Sequence, residues 1–392
     1  MNLLMLVFNQ VNRGTYWRAF QFARRLCQRG HSVTLIATSS DEHFLIHSRE
    51  VQENLTLVEA PDLLSGSLRS GWDFWNTITR IAWLRGKSFD LIHAFESRPT
   101  VIFPALYLHA RSIPLILDWA DWLGKGGSVE ERSNPLIRTI LRPIETYFEL
   151  HFRTRANGTT VICSSLLEKA IGLGVNPDSI LCLRNGADID RLKSISKKEA
   201  RSRVGIDDNA LVIGYVGSIF HDDALFLGEA FNRVSATYPE TRLLIAGYCP
   251  FEIKSLVLRP EKVTQTGPLS DEDLNLYLAA SDVFWLPLRN SIANRGRFPY
   301  KFTDYLAIGR PIIATSIGDI PLLFADGEIG WLSIDDPGSF SQTTIKLLND
   351  PKTCEVMGRK AREIAESEFS WEVFTNELES FYQTIILKSQ KI

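Results

Sequence analysis

Apolar residues along this chain recur in two alternating rhythms. LLMLVF (3–8) is an unbroken apolar run of strand length, and Tyr16 to Arg29 then carries Phe20, Ala23 and Leu26 at helical spacing. Gly30 closes that stretch, and SVTLIAT (32–38) is a second strand. Strand, helix and strand in about 35 residues predict a βαβ unit, hence a parallel sheet with a right-handed crossover. The pattern returns in LTLVEA, DLIHAF, PLILDW, TTVICS and ILCLRNG. Their Val, Ile and Leu content suits strands covered on both faces.

After Asp190 the run RLKSISKKEARSRVGIDDNA is polar and shows no strand pattern, so 191–208 is expected to connect two domains. The rhythm then restarts: LVIGYVGS (211–218), TRLLIAGY (241–248), VTQTGP (263–268), DVFWLPL (282–288) and PIIATS (311–316) alternate with helical stretches. The expected fold is α/β, with two Rossmann-like domains, 1–190 and 209–370, facing each other across a cleft. The amphipathic tail beginning at Trp371 (371–392) is expected to pack back on the first domain. In such sheets ligands lie outside the carboxyl ends of the strands.

Composition narrows the function. The 392 residues suit two domains, and 45% hydrophobic with 23% charged residues is a globular composition. A net charge of -3 argues against a nucleic-acid partner, which would need many phosphate-neutralising cations. The opening MNLLMLVFNQ has no basic leader region or small-residue cleavage site and reads as a buried strand. The most apolar later stretch, Val101 to Ile116, is broken by Pro104, His109, Arg111 and Pro114, short of a membrane span. The 5 cysteines form no C-x-x-C pair, so neither a cysteine zinc site nor a disulfide framework is indicated. The expected setting is cytoplasmic.

The most informative segment is Asn294 to Thr315, NRGRFPYKFTDYLAIGRPIIAT. Pro299 suits a helix approach, Lys301 to Ile308 reads as a helix, and Gly309 ends it before a strand. Lys301 and Asp304, three apart, share a face at the helix start. The positive end of a helix suits a diphosphate, a cation beside it adds charge, and a carboxylate one turn on can accept two ribose hydroxyls. A surface ion pair on a short helix is the plainer reading of the same two residues.

Pro299, Lys301, Asp304, Tyr305, Ala307, Gly309, Pro311, Ala314 and Thr315 resemble the nucleotide-sugar motif of family-four (group 1) GT-B glycosyltransferases. Further similarities follow in order: Asn185-Gly186-Ala187-Asp188, GYVGS (214–218), LLIAGY (243–248) and TGPLSDEDLNLYLAASDVFWLP (266–287). The resemblance implies a metal-independent sugar transferase with no cofactor beyond its nucleotide-sugar donor. It places Asp304 on the ribose and Tyr300, Gly217, Ser218, Gly267 and Leu269 around the donor. Two departures stand out. The first of the family's paired glutamates falls at Gly296, and Ser218 stands where relatives have an arginine. Lys301, Arg295 and Arg297 are the candidates to supply the missing positive charge.

On the acceptor side, Gly14 and Arg18 resemble the family's glycine loop with its following arginine. LILDWADWLGKGG (115–127) holds Asp118 and Asp121 after a strand, and the family's reactive His-Asp pair aligns with Ala120 and Asp121. Asp121 is the candidate to hold the acceptor hydroxyl or support charge at the reacting carbon. His93, with Glu96, also ends a strand and would face the cleft, although a buried structural histidine fits equally well. Trp72, Phe74, Trp75 and Trp83, interleaved with Arg69, Arg80, Arg85 and Lys87, suit a lipid headgroup boundary or packing on the sheet. Packing is the preferred reading, so peripheral membrane contact stays secondary. The expected acceptor is a glycan, a lipid-linked sugar or a small molecule. The competing functions are a non-catalytic nucleotide-sugar-binding partner protein and a sugar-nucleotide epimerase of the same fold.

Overall fold

The computed structural model describes residues 1–193, 195–219, 221–324 and 327–390. Ser194 of the expected connection and 391–392 of the expected tail lie outside these. The chain forms two compact units. One comprises Met1–Asn185, the short segment Ser291–Arg297 and the C-terminal stretch from Trp371; the other comprises Gly186–Asn290 and Phe298–Ser370.

The first unit is built on an eight-stranded sheet. Its strands are β1 (Asn2–Gln10), β2 (Ser32–Thr38), β3 (His47–Gln52), β4 (Leu55–Ala60), β5 (Leu91–Phe95), β6 (Leu115–Trp119), β7 (Gly158–Val161) and β8 (Ile180–Cys182). Their order is β3-β4-β2-β1-β5-β6-β7-β8. All pairs are parallel except β3 with β4. Leu3 to Val7 are buried throughout because helices cover both faces of β1. The edge strand β3 was not anticipated, since HSREVQ has neither an apolar run nor clean alternation.

The helix Thr15–Gln28 buries Tyr16, Ala19, Phe22, Ala23 and Leu26. Phe20, expected on that face, is only half-buried and stacks on Tyr16. The C-terminal helix Trp371–Ser389 returns to this unit, as the tail pattern predicts: Trp371 sets its ring edge-on to Phe22 at 5.0 Å.

The second unit carries β9 (Val212–Val216), β10 (Arg242–Ala246), β11 (Val263–Gln265), β12 (Val283–Leu286), β13 (Ile312–Thr315) and β14 (Gly330–Ser333). Their order is β11-β10-β9-β12-β13-β14, parallel throughout. Sequence order reverses between the neighbours β9 and β12, the position where a doubly wound sheet opens a ligand crevice.

The expected connection 191–208 proves to be structured. It contains the helix Lys197–Val204, capped by Ser196 and ended by left-handed Gly205. Buried Arg201 ties it to the second unit by donating to the Ala280 carbonyl at 3.0 Å and to Asp282 Oδ2 at 2.6 Å. A helix anchored by a buried arginine leaves no apolar stripe for a pattern search to find.

Candidate functional site

In the second unit three glycines end three adjacent strands: Gly217 after β9, Gly247 after β10 and Gly267 after β11, all at positive φ. A Cβ on Gly247 would meet the Gly217 nitrogen at 3.0 Å, so close backbone approach requires glycine there. Gly247 donates to the Gly267 carbonyl at 2.9 Å, which lines the turns up. Leu269 is half-buried just before Ser270, the cap of helix Asp271–Ala279, and Ser218 is exposed beyond the first turn.

The helix Tyr300–Ile308 begins beside this row, with Pro299 in the cap position and no side chain capping it. Lys301 leaves its first turn and places Nζ 4.0 Å from the Tyr215 ring centroid, hydrogen-bonded to the Tyr215 hydroxyl. Its Cε lies 3.4 Å from where a Cβ on Gly217 would sit. Lys301 and Gly217 are thereby brought to the reversal between β9 and β12. Tyr300 opens the same helix and accepts a hydrogen bond at its carbonyl from Thr303.

Asp304, one turn on, is buried and paired with Arg191 Nη2 at 2.9 Å, not with Lys301. The surface ion-pair reading of these two residues is thus corrected: they share a helix face but diverge to different partners. Arg191 also contacts Asp271 at 3.2 Å and Asp188 at 3.9 Å. Burial pushes the Asp304 pKa up to about 6, while the Arg191 charge pulls it down. Sequence reasoning missed Arg191, which lay in the supposed linker. Its only signal was its position three residues after the Asn-Gly-Ala-Asp turn.

In the first unit several expected site residues turn inward. Arg18 donates to both Asp118 oxygens, at 3.1 and 3.0 Å, and also to Asn185 and the Leu183 carbonyl. Burial raises the Asp118 carboxyl, but the Arg18 charge and hydrogen bonds outweigh it and hold the pKa below its usual value. His93 is fully buried, with Nδ1 2.6 Å from the Tyr382 hydroxyl and Nε2 3.2 Å from Thr160 Oγ1. Burial drives its pKa down to about 3, so it is neutral. The expectation that His93 faces a ligand, and that Arg18 and Asp118 serve an acceptor loop, is corrected: these side chains are occupied in the interior. Gly14 closes the first turn because a Cβ there would strike Asn9 Nδ2 at 2.7 Å.

Glu96, at the carboxyl end of β5, adopts φ 70°, unusual for a side chain of its size. It accepts from the Ala120 amide at 2.9 Å, while Arg153 lies 3.7 Å from its other oxygen. Burial raises its pKa to about 8. Asp121 keeps 43% of its side chain exposed and accepts from Arg297 Nε at 3.1 Å. Surrounding protein desolvates the Asp121 carboxyl and raises its pKa, with Arg297 opposing. Arg297 closes its terminal nitrogens on Glu131 at 2.8 and 2.6 Å. Its guanidinium is committed to two carboxylates, which corrects its assignment to a donor phosphate. Arg295 is exposed at the end of the short helix Ile292–Arg295. Among the described residues no group of three or more His, Cys, Asp or Glu is arranged to hold a metal ion.

Two family models match the chain: Glycosyltransferase Family 4 over residues 13–191 and Glycosyl transferases group 1 over residues 210–350. The chain belongs to the family-four, group 1 glycosyltransferases. Among similar proteins, this family member is 29% identical over 186 residues to a D-inositol 3-phosphate glycosyltransferase of Mycobacterium sp. (strain KMS), covering 44% of the chain and 40% of the relative. It is 27% identical over 216 residues to a GDP-mannose-dependent monoacylated alpha-(1-6)-phosphatidylinositol monomannoside mannosyltransferase of Corynebacterium glutamicum, covering 52% and 55%. The chain thus spans about half the length of the curated relatives it matches. The sucrose-phosphate synthase of Thermosynechococcus elongatus shares the fold, with TM-score 0.77 at 16% identity over 99% of both chains.

Family membership gives the glycine at 296 a steric meaning. A Cβ there would lie 2.6 Å from the Trp122 Cβ, so Trp122 occupies the approach that the usual glutamate needs. Lys169 Nζ sits 3.5 Å from the centroid of the Trp122 ring. Neither Trp122 nor Lys169 was singled out from sequence: in the 115–127 loop the family pattern falls on Ala120 and Asp121, and the helix Ser164–Gly172, which carries Lys169, shows no motif of its own.

Proposed function

We propose that this chain transfers a glycosyl group from a nucleoside diphosphate sugar to an acceptor hydroxyl, with the donor seated on the second unit. The observation that carries this reading is the placement of Lys301 against the Gly217 turn, one helical turn before Asp304. The glycine row lets phosphate oxygens approach backbone. The helix start and the Lys301 ammonium meet the diphosphate charge, and Asp304 accepts the ribose hydroxyls. Family membership supports the reaction class, and the GDP-mannose dependence of the Corynebacterium relative supports the donor class.

In the transfer the bond between the anomeric carbon and the diphosphate oxygen breaks with its electron pair leaving on the diphosphate. The acceptor oxygen bonds to that carbon, and its proton passes to a leaving phosphate oxygen on the same face, which retains configuration. Lys301 stabilises the leaving charge as it grows. Asp121, partly exposed and fixed by Arg297, holds the acceptor hydroxyl. The acceptor is a glycan, a lipid-linked sugar or a small molecule. No divalent ion is required, because helix and lysine meet the diphosphate. The 5 free cysteines and the nucleotide-sugar donor suit the cytoplasm.

Glycine at 296 and serine at 218 favour a second reading, a nucleotide-sugar binder without turnover. Incubating the pure chain with UDP-, GDP-, ADP- and dTDP-sugars decides between them. Slow hydrolysis of one donor, unaffected by EDTA, supports transfer. Binding without hydrolysis supports the second reading, and reversible isomerisation would make the chain an epimerase. Activity lost to EDTA and restored by magnesium or manganese would remove the metal-free clause.

A further inference from the structure

We propose that the helix Pro135–His151 of the first unit docks on an anionic lipid surface. Its sequence, PLIRTILRPIETYFELH, puts Leu136, Ile137, Ile140, Ile144 and Tyr147 within an arc of about 100° at 3.6 residues per turn. Such an arc ordinarily faces the core. Here the helix is turned the other way: Leu136, Ile140 and Tyr147 are 69%, 54% and 51% exposed, whereas Glu145 and Glu149 are 2% and 1% exposed.

The glutamates fix this orientation. Glu145 accepts from Arg98 at 2.9 Å and Arg132 at 3.2 Å. Glu149 accepts from the Trp119 indole and the Leu123 amide at 3.0 Å each, and from the Gly124 amide at 2.9 Å. Carboxylates anchor the helix to the body, and its apolar arc is left outside. Neighbours extend the patch. Exposed Phe103 sets its ring 6.0 Å from Phe148, and Trp72 packs on Phe148 at 5.3 Å.

Charge selects the partner. Both acids of the helix point inward, and its only other ionisable side chains besides Tyr147 are the basic Arg138, Arg142 and terminal His151. Exposed Arg155 follows the helix, and exposed Lys125 is held beside it by its backbone N–H, which donates to Thr146 Oγ1 at 2.8 Å. Glu130 at the margin is paired with Arg142 at 2.6 Å. A convex apolar ridge with a cationic border matches a bilayer whose apolar interior lies beneath anionic headgroups. A second copy of the chain would set the same cationic border against itself. The placement does not depend on the donor site.

Flotation of the full chain with vesicles tests this, using phosphatidylcholine alone and phosphatidylcholine with about 30% phosphatidylglycerol. The chain should float with the anionic vesicles, and less so at about 0.5 M salt. The double variant Ile140→Ser/Ile144→Ser alters only exposed positions and should keep its melting temperature while partition falls at least about tenfold. Lys125→Glu/Arg155→Glu, which leaves the ridge intact, should lose the preference for anionic vesicles. Three results would overturn the proposal: no flotation with anionic vesicles, unchanged flotation of the serine variant, or a dimer on size exclusion that the serine variant dissociates. The dimer would assign the ridge to a second copy.

Discussion

Arg297 donates Nε to Asp121 at 3.1 Å while its two terminal nitrogens grip Glu131. The arginine that motif spacing offered to the donor therefore belongs, with the segment Ser291–Arg297, to the first unit. Lys301, four residues on, remains with the second unit beside Gly217.

Lys301→Met and Arg297→Met should consequently fail in different ways. Losing the Lys301 charge should cut turnover roughly 10–100-fold, with less effect on binding of a nucleoside lacking phosphate, because a hydrogen bond to a charged group contributes about 1.5–3 kcal/mol. Arg297→Met should lower kcat by roughly tenfold, discounted for the exposure of the pair, with nucleoside diphosphate affinity unchanged. Calorimetric titration beside steady-state rates separates the two. Normal turnover in Lys301→Met together with lost nucleotide binding in Arg297→Met would reverse the assignment.

The Asp304–Arg191 pair should make donor binding depend on pH. The folded pKa of Asp304 is about 6, raised by burial and opposed by Arg191. Only the ionised carboxylate accepts two ribose hydroxyls, so nucleotide-sugar affinity should fall as pH drops through about 6 and be flat above it. Arg191→Met removes the opposing charge and should move that midpoint upward. Asp304→Ala should weaken binding by roughly 1.5–3 kcal/mol and abolish the pH dependence. A wild-type profile that is flat from pH 5 to pH 8 would detach Asp304 from the ribose.

Trp122 and Gly296 should be coupled. Gly296→Glu, which restores the family's carboxylate, forces a Cβ to within 2.6 Å of the Trp122 Cβ and should destabilise by roughly 1–3 kcal/mol. Trp122→Gly removes that atom, so the double variant should lose less than the sum of the two single losses. Additive melting-temperature changes would show that another contact excludes the side chain.

Glu96 should make the fold less stable at alkaline pH. Its pKa rises from 4.5 to about 8 on folding, mainly through burial. Between those values the unfolded chain is ionised and the folded chain protonated, so this stability contribution is present at low pH and is lost as pH rises through about 8. Glu96→Gln can still accept the Ala120 amide and cannot ionise. Its melting temperature should gain on wild type between pH 5 and pH 8, and an equal decline in both proteins would contradict this.

The strand rhythm was legible because parallel strands buried on both faces must be apolar, and both sheets except the polar edge β3 follow it. Lys301, Asp304 and Gly217 were legible because a helix start and a strand-end glycine have local signatures. Local spacing could not say which charges would meet. Arg18 finds Asp118 100 residues away, and Arg297 finds Asp121 176 residues away. Those pairings, the burial of His93 and the inward turn of Glu145 and Glu149 follow from desolvation, which depends on everything packed around a group. The sequence by itself determined two α/β units and the residue types on the helix Tyr300–Ile308. Only the tertiary structure decided which side chains stay accessible to a ligand, because a buried charge takes whatever partner the fold brings within reach.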